Sequence, residues 1–192
     1  MKVRYLAVLL PLLLGAGPLE QSVKPLMPSQ QEKLLVQAQA ASQNLLTTLQ
    51  STLKAALAAG DPAQAIQVCQ LAAPEIASGI ARAEGIGIRR VSLRQRNPAN
   101  RPDAFERATL QSWARGEAAP LHQLERYGSQ RIFRYMQPIK MQQACLQCHG
   151  PVQGIRPEVR QLLQRFYPLD QATGYREGEL RGAVSVSILA GP

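Results

Sequence analysis

Aromatic residues make up only 5% of this sequence, with a single Trp, and ligand-forming side chains are as scarce: three Cys and two His. That scarcity excludes most metal architectures. A structural zinc site needs four ligands, and outside residues 145–149 only Cys69 and His122 remain, far apart and at no zinc-finger spacing. No apolar run is long enough for an ordinary membrane-spanning helix; the one at residues 5–14 falls short. Internal repeats and low-complexity tracts are missing too, so neither a solenoid nor a disordered tail is expected. An apolar content of 45% against 18% charged residues instead suits a single domain with a sizeable core.

Against this background one stretch stands out: Cys145-Leu146-Gln147-Cys148-His149-Gly150. C-x-x-C-H is the attachment signal of a c-type haem. One turn of backbone delivers two sulfurs, from Cys145 and Cys148, to one edge of the porphyrin, and an imidazole, from His149, to the iron as proximal ligand. A thioredoxin-like redox pair would need a βαβ context that the flanking sequence lacks. One covalent haem would also supply the large flat apolar surface that an aromatic-poor core does not have.

The N-terminus agrees with this chemistry. Basic Lys2 and Arg4 precede the short apolar run, and Gly15-Ala16-Gly17-Pro18 follows it, the order of a secretory signal or an uncleaved N-terminal anchor. No Cys follows the run, which argues against a lipoprotein. Residues 1–20 are therefore expected to be the signal or anchor, 21–29 a linker and 30–192 the domain. Export to a periplasm or thylakoid lumen matches haem attachment outside the cytoplasm. The net charge of +9 raises the question of nucleic acid, but export and the lack of a basic helix or aromatic-interleaved basic patch exclude it. A basic surface could instead meet an acidic redox partner or an anionic membrane.

In chain order, the 3–4 spacing of Leu34, Ala38, Ala41, Leu45, Leu49, Leu53 and Ala56 predicts a long amphipathic helix over about 30–59, a candidate dimer element. Gly60-Asp61-Pro62 stops it and starts a second helix, with Ala65, Ile66, Cys69, Ala72, Ala73, Ile76 and Ile80 inward and a kink at Pro74. A strand is expected at 88–93, then turns through Asn97-Pro98 and a helix over 102–115 with Phe105, Ala108 and Trp113 as its apolar side and Leu110 on the flank. Strands 121–127 and 130–139 flank the hairpin signal Gly128-Ser129. A short helix bearing the C-x-x-C-H motif, a helix from Pro157 and a half-buried strand over 181–189 complete the chain. Long helices first, then four separated strands, predict an α+β domain with an antiparallel sheet.

The distal iron position has several candidates: His122, Met136, Met141, Cys69, or none. Met141 lies only four residues before Cys145, too near to reach the far face. Cys69 is the odd cysteine of an exported chain, the pattern of a reactive thiol, a metal ligand or an inert buried residue.

Five blocks taken together resemble a bacterial and cyanobacterial family of exported PAS-like c-type haem domains, found also in sensor ectodomains. They are Ala65-Ile66-Gln67-Val68-Cys69; Arg90-Val91-Ser92-Leu93 with Arg96-Asn97-Pro98-Ala99-Asn100, Asp103 and Glu106; the haem motif; Tyr167-Pro168-Leu169-Asp170 with Ala172-Thr173-Gly174-Tyr175; and Gly182-Ala183-Val184-Ser185-Val186. The resemblance implies a PAS-like antiparallel sheet flanked by helices and His/Cys ligation, with His149 proximal and Cys69 distal. Arg96 becomes a candidate haem-propionate contact. A redox or small-ligand sensor, responsive to CO, NO or O₂ on the reduced haem, is the expected function, with output through a partner protein since no kinase or chemotaxis module follows. An electron-transfer cytochrome is the alternative. A peroxidase is disfavoured, because no distal His-Arg pair at a recognisable spacing is present.

Overall fold

The computed structural model describes residues 26–191; the expected signal segment and the first part of the linker lie outside them. Helix α1 (Pro28–Ala58) begins two residues inside the expected linker, because Pro28 takes the first helical position and Gln30 accepts the Met27 N–H at 3.0 Å. Gly60, at φ 77°, ends this helix and the Asp61 carboxylate caps α2 (Pro62–Gln67) through the Ala63 N–H. A π turn (Val68–Ala72) joins α2 to α3 (Ala73–Glu84). Gly85 closes α3 in the left-handed conformation. Then come β1 (Gly87–Val91), α4 (Ala104–Arg115), β2 (Leu121–Tyr127), β3 (Gln130–Lys140), α5 (Leu146–His149), α6 (Pro157–Phe166) and β4 (Leu180–Leu189).

The four strands form one antiparallel sheet in the order β1-β4-β3-β2. The chain is thus α+β with a long N-terminal helix, as the spacing of its elements predicts. Side-chain alternation sends Ile88, Phe133, Tyr135, Val184, Val186 and Ile188 to one face, where they meet Ala38, Ala41 and Leu45 of α1 and Ile80 of α3. Val91, Met136 and Ala183 point to the other face and pack on Leu110 and Trp113 of α4. Among the described residues no helix is long and apolar enough to cross a membrane.

Two local expectations are corrected. Strand β4 is not half-buried: Ala183 to Val186 are all buried, because the strand is central and α4 covers its second face. On α4 the inward side is Glu106, Thr109, Leu110 and Trp113, while Ala108 is exposed. A periodicity judged on apolar residues alone rotates the face away from Glu106. That carboxylate is buried because it has three partners: the Asp103 N–H, Arg89 at 2.7 Å and Arg134 at 3.6 Å. Asp103 caps the same helix through the Glu106 N–H and pairs with Arg134 at 2.7 Å.

Replacing Glu106 by Gln leaves an acceptor for the Asp103 N–H but removes a buried charge that faces Arg89 and Arg134, of which Arg134 keeps Asp103 and Glu125 as partners. Glu106→Gln should cost about 2–3 kcal/mol in urea unfolding; the lower end is set by Arg89, whose side chain stays 44% exposed. Burial pushes the Asp103 carboxyl up, but the Glu106 N–H and the Arg134 and Arg89 charges outweigh it and hold the group below its ordinary value of 3.8. Its stabilisation is therefore complete above that value and is lost as pH falls through the lower folded one. Unfolding followed from pH 5 downward should show a shallower acid loss in Asp103→Asn.

Candidate functional site

The C-x-x-C-H segment leaves β3 through a 3-10 turn (Gln143–Cys145) and makes the single turn of α5. Gly150 ends that turn. A Cβ there would stand 2.6 Å from the Leu146 carbonyl oxygen, so only glycine lets the chain fold back this tightly. No disulfide joins any of the three cysteines.

The loop from Tyr167 to Tyr175 holds this turn in place. Gly174 and Tyr175 donate backbone N–H bonds to Gly150 and His149 carbonyls at 2.7 and 2.9 Å. His149 Nδ1 lies 2.6 Å from the Ala172 carbonyl oxygen. A carbonyl only accepts, so Nδ1 carries the proton and the Nε2 lone pair is left free to bind. Burial, then the positive charges of Arg96 and Arg181, hold this imidazole well below its usual range, against the opposing pull of the Ala172 carbonyl. The neutral, ligating form is the one present at neutral pH.

Arg96 ties the two segments together. Its guanidinium is buried, pairs with Asp170 at 2.9 Å, and donates to the Cys148 carbonyl at 2.6 Å and more weakly to the Ala172 carbonyl at 3.4 Å. Asp170 in turn accepts the Ala172 N–H at 2.7 Å, fixing the carbonyl that holds His149. Arg94 grips the loop from outside, donating to the Gln171 and Thr173 carbonyls.

Cys69 sits in the π turn. Pro74 has no N–H, and its ring crowds the carbonyl four residues back; the helix meets this by widening for one turn, with the Ala73 N–H bonding the Val68 carbonyl. The expected kink at Pro74 thus takes the form of a π turn, a feature frequent at functional sites. Cys69 is half-buried, and Arg90 of β1 reaches its carbonyl at 3.5 Å.

These pieces enclose one cavity of about 590 Å³. Cys69, Cys145, Cys148, His149 and Arg96 all line it, so the structure brings together every residue of the predicted site. The second half of α1 roofs it with Leu46, Leu49, Leu53 and Leu57. Ile66, Leu163 and Tyr167 close it beside Cys148. Burial raises the Cys148 thiol, Arg96 working against it, and burial followed by the nearby Cys69 pushes Tyr167 up to about 12. The donor set is two closely spaced thiols, a free imidazole nitrogen and a third thiol from another element, on a largely apolar wall. It fits the group implied by the C-x-x-C-H spacing.

The other ligand candidates separate cleanly. His122 is exposed on β2, its ring stacked on Phe133 at 5.4 Å, outside the cavity. Met136 is buried on the sheet's other face, against α4. Met141 does line the cavity, packed with Ala172 and Tyr175 beside Cys145. Sequence reasoning missed Asp170 as the partner of Arg96 and the Ala172 carbonyl as the anchor of His149. An acidic residue two before a small one in a Gly-containing loop carries no separate signal.

The sequence model of the Tll0287-like family matches residues 21–188. A solved structure, described as the crystal structure of the cyanobacterial heme-protein Tll0287, aligns with 85% of this chain and 97% of that one, at 25% identity and a TM-score of 0.60. No curated protein is a significant match.

The clamp makes a sharp prediction. Asp170→Asn leaves Arg96 buried without its counter-charge and should destabilise the fold by about 3 kcal/mol, read from urea unfolding. In the same variant the His149 side-chain ¹⁵N signals should show the Nδ1–H tautomer eroding, whereas Glu158→Gln, at an exposed ion pair, should change neither.

Proposed function

The chain belongs to the Tll0287-like family, and from that footing we propose that it is an exported, single-haem c-type protein acting as a redox or small-ligand sensor. Cys145 and Cys148 hold the haem covalently, His149 is the proximal iron ligand and Cys69 the distal one. The observation that carries this reading is the convergence of all four on one cavity, with the His149 proton already parked on Nδ1 by Ala172. The kinship with a cyanobacterial haem protein supports the cofactor. When bound, the haem supplies one-electron chemistry and an axial coordination position; this chain's residues supply its tether, orientation and shielding from water.

The two ligands are held unequally, and this favours a sensor. His149 is fixed by a side-chain bond, by two backbone bonds around it and by the Arg96–Asp170 pair. Cys69 sits in a π turn, and the side-chain bond that reaches it is the long one from Arg90 to its carbonyl. An unequal pair lets the distal position exchange while the proximal side stays rigid, making room for CO, NO or O₂. The helix-flanked sheet is read as PAS-like, with 1–20 as signal or anchor and 21–29 as linker. The periplasm or thylakoid lumen is the proposed location, and output goes through a partner protein or a dimer formed by α1. The alternative, an electron-transfer cytochrome, is favoured by one observation: a net charge of +9 suited to an acidic partner.

After expression with a c-type maturation system, denatured protein should keep its haem on a gel, and Cys145→Ser/Cys148→Ser should lose it. The oxidised protein should give a low-spin thiolate EPR signal that Cys69→Ser abolishes, and the reduced protein should change its spectrum with CO. An unchanged EPR spectrum in Cys69→Ser would falsify the distal assignment. Rapid electron exchange with an acidic redox protein, without any CO response, would move the function to the alternative.

A further inference from the structure

Three arginines crowd one wall of the cavity: Arg90 from β1, Arg96 from the loop that follows, and Arg181 from the start of β4. Their charges all bear on His149, so they share one corner. Among the described residues Asp170 is the only carboxylate ion-paired with any of them, and Arg96 takes it at 2.9 Å. Arg96 has further bonds to the Cys148 and Ala172 carbonyls. Among the described residues the hydrogen-bond acceptors of Arg90 and Arg181 are neutral: the Cys69 carbonyl at 3.5 Å for the first, Ser92 Oγ at 2.8 Å and the Arg94 carbonyl at 3.2 Å for the second, whose guanidinium also lies 5.7 Å from the centre of the Tyr175 ring.

Two positive charges thus stand at the edge of a largely apolar site without a carboxylate ion-paired to either, though Asp170 and Tyr175 act favourably on Arg181 from a distance. Each loses hydration there and each repels the other; for Arg181, burial is the main force pulling its pKa down. The fold nevertheless aims both inward. Arg90 shares its sheet face with Ile88, the face covered by α1 and α3. Arg181, by plain alternation, would share the face of Ala183 under α4. A bulge prevents this: Ile139 pairs with Gly182 and Lys140 with Leu180, leaving Arg181 as the extra residue. Gly182 permits the manoeuvre, at φ 156° and so close to β1 that a Cβ would stand 2.2 Å from the Val91 carbonyl oxygen.

Two spare cations on one wall match a ligand with two carboxylates. Resting on the haem proposal above, we infer that Arg90 and Arg181 bind the two haem propionates. Arg96, the propionate candidate in the sequence, is then a positioning residue for the Cys148–His149 turn. The distinction is one of remaining capacity: Arg96 already has its carboxylate, and the other two do not.

The test uses the full chain matured with covalent haem, comparing Arg90→Gln and Arg181→Gln with Arg115→Gln, an exposed residue at the end of α4. Mass spectrometry counts haem, resonance Raman reads the propionate bending bands, and redox titration gives the midpoint potential. Arg90→Gln and Arg181→Gln should each shift a propionate band and lower the midpoint, since positive charge near the iron is lost; Arg115→Gln should do neither. Bands and midpoints equal to those of Arg115→Gln overturn the assignment. Should the glutamine variants not mature, Arg90→Lys and Arg181→Lys decide: the charge stays but the planar fork is gone, so shifted bands support the assignment and unshifted bands overturn it. A wild-type chain without covalent haem would instead refute the haem proposal, so the two failures are distinguishable.

Discussion

The Arg96–Asp170 pair is the interaction on which the site depends. It joins three stretches distant in sequence: the turn after β1, the Cys148–His149 turn, and the loop before β4. Two of these are irregular backbone and the third is a single helical turn, so none has many ladder bonds of its own to fix it. A buried ion pair costs desolvation, and here that cost is offset by bonds from the same two side chains to the Cys148 carbonyl and the Ala172 N–H. Through the second of these the pair also governs the imidazole. The order of dependence runs from a charge pair to a carbonyl, from the carbonyl to a proton, and from the proton to a free lone pair.

Much of the architecture was legible because it is written in local chemistry. Gly60-Asp61-Pro62, Gly85 and the Gly128-Ser129 hairpin place their element ends close to where the sequence suggests. The 3–4 spacing of α1 held over the whole helix, since one side of it packs on the sheet and then covers the cavity. What was not legible depends on partners far along the chain. Ser185 is buried only because α4 lies over β4, and Glu106 is buried only because Arg89 and Arg134 arrive from two strands. A backbone carbonyl such as that of Ala172 has no residue type to betray it. The aim of Arg181 is set by a pairing shift between β3 and β4, which no spacing within β4 encodes.

The two faces of the sheet do different work. The α4 face carries a closed charge network, in which Glu106, Asp103 and Glu125 answer Arg89 and Arg134. On the α1 face the apolar layer gives way, towards one end of the strands, to the cavity with its arginine-rich wall. The sheet arginines are thus treated differently on the two faces: Arg89 and Arg134 are ion-paired under α4, while Arg90 and Arg181 turn towards the cavity.

The π turn at Cys69 fixes a residue count as well as a shape. One surplus residue in a helix rotates everything after it by about 100° relative to what came before, and a π turn absorbs that surplus within a single loop of backbone. Ile66 before the turn faces the α6 cluster, while Ile80 after it faces the sheet. The two half-helices thus serve two different packing surfaces in their own registers, with the thiol at the seam. A one-residue deletion within 68–72 would restore a regular helix and turn α3 off the sheet. A length change here is more disruptive than most substitutions, and the count of residues between Asp61 and Gly85 is as much a part of the site as the cysteine itself.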